Sequence, residues 1–314
     1  MRLSDEPSLE QPESTPRRRS RRLRLRRLGP TGVWPTMFTL GNLVAGFAAI
    51  HFATRPMAHA ADAMGTGTWG PWEWSNLTVA SALILLGVIF DSVDGSVARL
   101  TDSVTEMGGQ LDSLADLVTF GLAPAFITLH LLSQYVGVPD SISVVHPAAS
   151  NLLGRLSWTI AAIFVCCAAL RLARYNVETA SGRLGSPYFF RGLPAPGAAG
   201  AVIGIVVLHE HMVALAEGGT TGFAYTTAGV LAFALPVIVL VAAAMMVSTL
   251  PYPHLANRYL RVRRPFAYLV RAAIVLCFAV LWLQETIAAV FLLYLCSGPF
   301  NRARGQRYEP AEEA

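Results

Sequence analysis

Apolar residues along this chain fall into eight runs, near 36–54, 77–92, 108–133, 156–172, 193–209, 223–248, 266–283 and 286–298. Crossing the hydrocarbon of a bilayer takes roughly 20 residues, with some tolerance for tilt. The second and last runs are short, and the last also suits a peripheral or re-entrant piece. Amides inside hydrocarbon must be paired within their own segment, so each run is expected to be a helix. No fixed-period repeat is evident. The expected fold is all-α, a polytopic integral membrane helical bundle of about eight transmembrane helices. Ahead of the first run, residues 1–16 are polar and read as disordered. Arg17–Leu28 forms a basic arm suited to anionic lipid headgroups. That basic stretch is too long for the start of a signal peptide.

Composition agrees with this pattern. Of 314 residues, 54% are hydrophobic and only 14% charged, against about 25% charged in an ordinary soluble domain. A soluble enzyme of this length and a disordered scaffold are both excluded. Lysine is absent, so all 24 basic residues are arginine, a bias most simply ascribed to a GC-rich genome. Threading eight spans from a cytoplasmic N-terminus puts 21 arginines on the cytoplasmic side. Only Arg55 and Arg155 lie opposite, and Arg271 falls within the seventh run. The positive-inside rule therefore sets the orientation, with both termini cytoplasmic. Cys166, Cys167, Cys277 and Cys296 lie in apolar runs without metal-ligand spacing. His209 and His211, two residues apart, do not share a helix face.

The chemistry is concentrated in residues 91–116. Asp91, Asp94, Gly95, Ala98 and Arg99 recur at i, i+3, i+4, i+7 and i+8, one face of a helix. Gly108, Asp112 and Asp116 recur at i, i+4 and i+8, again one face. A reversal between residues 100 and 107 would set the faces opposite each other, converging four carboxylates at the cytoplasmic end. Asp102 and Glu106, in that reversal, read as ordinary polar loop. Carboxylates at membrane depth are costly and point to function. Four together would repel, and hard divalent cations, Mg²⁺ or Mn²⁺, relieve that best. Two such ions would balance four charges. Gly95 and Gly108 leave room for close approach, Ala98 keeps the face uncluttered, and Arg99 suits phosphate. This is equipment for phosphoryl transfer.

Asp91-x2-Asp-Gly-x2-Ala-Arg-x8-Gly-x3-Asp-x3-Asp116 resembles the full signature of the CDP-alcohol phosphotransferases. The resemblance implies a six-helix membrane core, a homodimer, and transfer of a phosphate-bearing group from a CDP-linked donor to an alcohol with release of CMP. Further segments, Met37–Gly46, Arg171–Asn176, Phe190–Pro196 and Met246–Ser248, resemble the subgroup that makes phosphatidylserine from CDP-diacylglycerol and L-serine. Thr36 departs from the Asn usual there. By this resemblance, residues 34–265 form the catalytic transmembrane domain. Residues 1–33 precede it, 266–300 add C-terminal helices, and 301–314 form a cytoplasmic tail. It implies Asp91, Asp94, Asp112 and Asp116 as metal ligands and Asp116 as general base. Gly95, Ala98, Arg99 and Gly108 would form the nucleotide-binding face. The basic arm and the acidic tail lie outside the match.

Serine's carboxylate needs a cation, and Arg171, Arg174 and Arg191 are the candidates, for it or for phosphate. Thr39 and Asn42 are candidates for the nucleotide pocket, with plain helix packing as the competing reading. The Gly192–Pro196 stretch reads as a break before the fifth span. A bacterial inner membrane is the expected location, and no nucleic-acid partner is expected. The nearest competing readings are the same chemistry on glycerol 3-phosphate, inositol phosphate or a second phospholipid. A transporter is a more distant one, but the inverted repeats and paired broken helices that would favour it are not evident. Intramembrane prenyltransferases space their aspartates differently.

Overall fold

The computed structural model describes residues 33–55, 68–69, 74–100, 106–136, 151–181, 189–217, 221–253, 270, 273 and 277–305. The basic arm, the stretch 101–105 within the expected reversal, and most of the seventh apolar run lie outside these residues. Among the described residues eight helices carry the fold: α1 (Val33–Ala53), α2 (Asn76–Leu100), α3 (Glu106–Asp116), α4 (Ala123–Val136), α5 (Leu152–Ala180), α6 (Ala195–Glu217), α7 (Thr221–Val247) and α8 (Leu283–Ala303). A π-helical turn, Leu117–Leu122, joins α3 to α4 into one continuous rod. Counting that rod once, seven helices among the described residues are long and apolar enough to cross a membrane. The last run proves to be part of a 21-residue helix, lengthened beyond its apolar centre by polar ends.

Large apolar side chains such as Val44, Phe47, Ile89, Val230 and Val237 are exposed. In a bilayer that outer surface faces acyl chains. The interior is built on small residues, among them Ala49, Ala80, Ala168, Ala198, Ala199, Ala201, Ala242 and Ala243, all fully buried. Small side chains let helix backbones approach closely where burial of apolar surface gives no net drive. Several hydroxyls are satisfied locally: Ser96, Thr128, Ser157 and Thr159 each donate to a carbonyl four residues back.

Helix α8 shows the close approach at its tightest. Gly197, Gly200 and Gly204 of α6 face Tyr294, Phe291 and Ala288 of α8 in antiparallel order. A Cβ on Gly200 would overlap the Phe291 ring, and one on Gly204 would lie 3.0 Å from the Ala288 Cα.

Two short antiparallel pairs were not expected from the hydropathy pattern. Thr68–Trp69 (β1) pairs with Trp74–Ser75 (β2), and Phe189–Arg191 (β3) pairs with Pro251–Pro253 (β4). The expected break before α6 is where the second pair begins. Gly192 has φ +78°, and a Cβ there would sit 2.6 Å from the Met246 carbonyl oxygen, so only glycine fits without strain. The Gly192 N–H donates to the Leu250 carbonyl at 2.9 Å and the Leu193 N–H to the Met245 carbonyl at 3.0 Å. The break thereby helps satisfy the carbonyls at the end of α7, where the Ser248 hydroxyl also donates to the Met245 carbonyl at 2.8 Å. Tyr252, fully buried, donates its hydroxyl to the Leu295 carbonyl at 2.9 Å. One end of the bundle is thus closed by β3, β4 and α8.

Overpacking a tight helix contact typically costs about 1–3 kcal/mol. Gly200→Val should therefore lower the melting temperature of the detergent-solubilised protein measurably. Gly229→Val, where a Cβ would meet nothing within 4 Å, should melt like the parent protein in the same experiment.

Candidate active site

Asp91 and Asp94 lie one turn apart towards the C-terminal end of α2, and Asp112 and Asp116 one turn apart on α3. Because α1 and α3 enter the bundle where α2 leaves it, all four aspartates lie at the end closed by β3, β4 and α8. One carboxylate oxygen from each of Asp91, Asp112 and Asp116 lies within 4.8 Å of the other two. Asp94 is close enough for its charge to act on all three. Asp94 and Asp116 are only 5% and 7% exposed. Like charges this close and this far from water raise one another's energy, and a shared cation is the direct remedy. Asp112 Oδ1 is buried without a hydrogen-bond partner, an electron-rich atom that a cation would satisfy. An all-oxygen donor set suits a hard divalent ion.

Helix α1 supplies hydrogen-bond donors to the cluster. Thr39 and Asn42 share a face, three residues apart. Thr39 Oγ1 donates to Asp94 Oδ2 at 2.9 Å, and Asn42 Nδ2 donates to Asp116 Oδ1 at 3.0 Å. Both side chains, candidates for a nucleotide pocket by sequence, are therefore directed at carboxylates. The π turn adds a contact that sequence reasoning missed: Thr119 Oγ1 donates to the Asn42 carbonyl at 2.8 Å. A π turn beside a functional site is a recurrent arrangement, but no residue in Leu117–Leu122 announces it. Ser113 of α3 also exchanges hydrogen bonds with Asn176 of α5.

The three candidate arginines separate clearly. Arg171, on α5, lies within electrostatic reach of Asp116, Asp91 and Tyr294, and its Nε is buried without a hydrogen-bond partner. Arg174 instead donates to the Val247 carbonyl at 3.0 Å, tying α5 to the end of α7. Arg191 is exposed and pairs with Glu178 at 3.2 Å. Gly95 and Gly108 are half-buried on the aspartate-bearing helices. The side chains of Ala98 and Arg99 lie outside the described residues. At the far end of the bundle, His209 meets Tyr135 and Glu210, while His211 meets Glu285.

Comparison with known proteins gives this geometry a family context. A family model described as CDP-alcohol phosphatidyltransferase matches residues 33–251. A CDP-diacylglycerol–serine O-phosphatidyltransferase of Helicobacter pylori strain J99 is 31% identical over 193 residues, 62% of this chain. The matched part is 65% of that relative's length. Proteins of the same name from Mycobacterium bovis and Saccharomyces cerevisiae are 27% and 38% identical. The mycobacterial match covers 88% of this chain and 80% of the relative, and the yeast match 40% of each. Members of the matched family generally use divalent metals, for which the acidic cluster is a fitting site. With well over half of its length matched, this chain belongs to the CDP-alcohol phosphatidyltransferase family.

Proposed function

We propose that the protein transfers the phosphatidyl group of CDP-diacylglycerol to the hydroxyl of L-serine, giving phosphatidylserine and CMP. The observation that carries this reading is the convergence of Asp91, Asp112 and Asp116 within 4.8 Å beside Arg171, whose Nε is buried. The serine acceptor rests on the names of the relatives and on the four segments that resemble them.

Asp91, Asp94, Asp112 and Asp116 would hold divalent cations, Mg²⁺ or Mn²⁺ and two in number. Bound there, the ions would offset the negative charge of the diphosphate and of the departing CMP. The serine hydroxyl oxygen attacks the lipid-side phosphorus. The bond from that phosphorus to the oxygen of the CMP phosphate breaks, and that oxygen leaves with its electron pair. Asp116 accepts the hydroxyl proton. Its Oδ1 is engaged by Asn42, which leaves Oδ2 for the reacting groups. Arg171 binds the serine carboxylate or a substrate phosphate through its planar donors. Arg174 and Arg191 serve structure instead, given their Val247 and Glu178 partners. Gly95, Ala98, Arg99 and Gly108 form the nucleotide-facing surface.

The acyl chains remain in the bilayer while the headgroup enters the polar end. By the arginine distribution, that end faces the cytoplasm of a bacterial inner membrane. Binding of anionic headgroups by Arg17–Leu28 and a homodimeric state complete the proposal.

Purified protein supplied with CDP-diacylglycerol and Mn²⁺ should release CMP and form phosphatidylserine when serine is added. Release only with glycerol 3-phosphate or inositol phosphate would overturn the acceptor while leaving the reaction class. Chelation with EDTA should abolish turnover, and Mn²⁺ or Mg²⁺ should restore it. Asp116→Asn should abolish CMP release while the protein still melts cooperatively. A hydrogen bond to a charged group is worth about 1.5–3 kcal/mol. If Arg171 holds the acceptor, Arg171→Gln should raise the KM for serine by roughly 10- to 100-fold. Arg191→Gln should leave it near the parent value.

A further inference from the structure

We propose that Asn42 is a positioning residue for the acidic cluster, and that Thr39, Gly87 and Thr119 belong to the same device. The inference rests on the reading of the aspartates as metal ligands and goes beyond it, since none of these four residues is a ligand.

Carboxylates that converge before a cation arrives must be held against their mutual repulsion. A lysine or arginine could hold them, but its charge would compete with the incoming ion. A neutral donor fixes a carboxylate's rotamer and leaves its charge available. Asn42 fits that requirement: it is fully buried, and its Nδ2 donates to Asp116 Oδ1 at 3.0 Å. Thr39, one turn earlier and 5% exposed, does the same for Asp94 Oδ2 at 2.9 Å. Each bond engages one oxygen of its carboxylate with a neutral donor.

The seat of Asn42 is itself built. Its Oδ1 is buried without a hydrogen-bond partner, an unfavourable state that calls for a reason, and the Asp116 bond made by the other half of the amide supplies one. That oxygen lies against Gly87 of α2, where a Cβ would come within 2.8 Å of it. Its backbone carbonyl accepts from Thr119, so the π turn grips α1 at the same residue. Gly46, one turn further along α1, leaves the gap that Thr119 fills; a Cβ there would overlap the threonine side chain. Three helices therefore converge on one amide that touches one carboxylate. Gly87 leaves room for both partners: a Cβ there would lie 2.5 Å from Thr119 Cγ2 and 2.8 Å from Asn42 Oδ1, so one added methyl probes both contacts.

The test is Mn²⁺ binding to the full-length protein in detergent, read by electron paramagnetic resonance of the free ion. Loss of a residue that orients a metal ligand typically costs 10- to 100-fold in affinity. Asn42→Leu and Gly87→Ala should each weaken Mn²⁺ binding by at least about tenfold, and Thr39→Val should weaken it less. In turnover, the Mn²⁺ concentration for half-maximal rate should rise in parallel, with the KM for serine little changed. Asp116→Asn, measured alongside, tests the underlying reading: wild-type Mn²⁺ affinity in that variant would overturn the ligand assignment itself. If Asp116→Asn loses the ion while Gly87→Ala and Thr39→Val bind it as the parent does, the positioning role is overturned. Metal-free melting curves identify any variant that does not fold. Should Asn42→Leu be one, Gly87→Ala and Thr39→Val decide the question.

Discussion

The interaction on which this structure depends is the repulsion among closely gathered, buried and half-buried aspartates. Asp91, Asp112 and Asp116 bring oxygens within 4.8 Å of one another, in a frame that offers little water to screen them. Isolated ions in such surroundings are strongly disfavoured. The arrangement therefore demands rigid helices and neutral donors, with a cation to complete it. Much of the remaining architecture follows from that demand. Helix α1 turns two polar side chains inward in a largely apolar span, and α5 lends a guanidinium whose Nε is buried. The closing strands hold the ends of α6 and α7 in fixed relation, with α8 packed against them.

The constraint also shapes what lies farther from the acids. Tyr294 of α8 packs its ring over Gly197, donates to the Pro253 carbonyl at 3.3 Å and lies within electrostatic reach of Arg171. Helix α8 follows the matched family segment, 33–251, yet it stands beside Arg171, whose guanidinium is within electrostatic reach of Asp91 and Asp116. The acidic end of the bundle is consequently assembled from both sides of that boundary. Arg174, though only three residues from Arg171, has a mechanical task. By binding the Val247 carbonyl it holds α5 against the terminus of α7, which steadies the segment that carries Arg171.

The described spans and the aspartate faces were legible because each depends on a local pattern. Hydropathy marks a helix in lipid, and spacings of three and four residues mark a helix face. The roles of Thr39 and Asn42 were not legible. A threonine and an asparagine in an apolar helix are ambiguous until the partner 55 or 74 residues away is known. The same holds for the arginines. Nothing local to Arg191 reveals that Glu178 will reach it, and nothing near Arg174 predicts a carbonyl partner from another helix. The β3–β4 pair escaped notice because three-residue strands are too short to show alternation, and β4 contains two prolines.

The π turn has a consequence for register. An α-helix advances about 100° per residue, so a wider turn of this kind displaces everything after it by about one residue's rotation. Upstream, Gly108, Asp112 and Asp116 obey one helical phase. Downstream, Ala123, Ile127 and Leu131, all fully buried, obey another. The rod is therefore two helices set out of phase on one axis, one phased for charge and the other for packing. Each half can meet its own neighbours without compromising the other's aim.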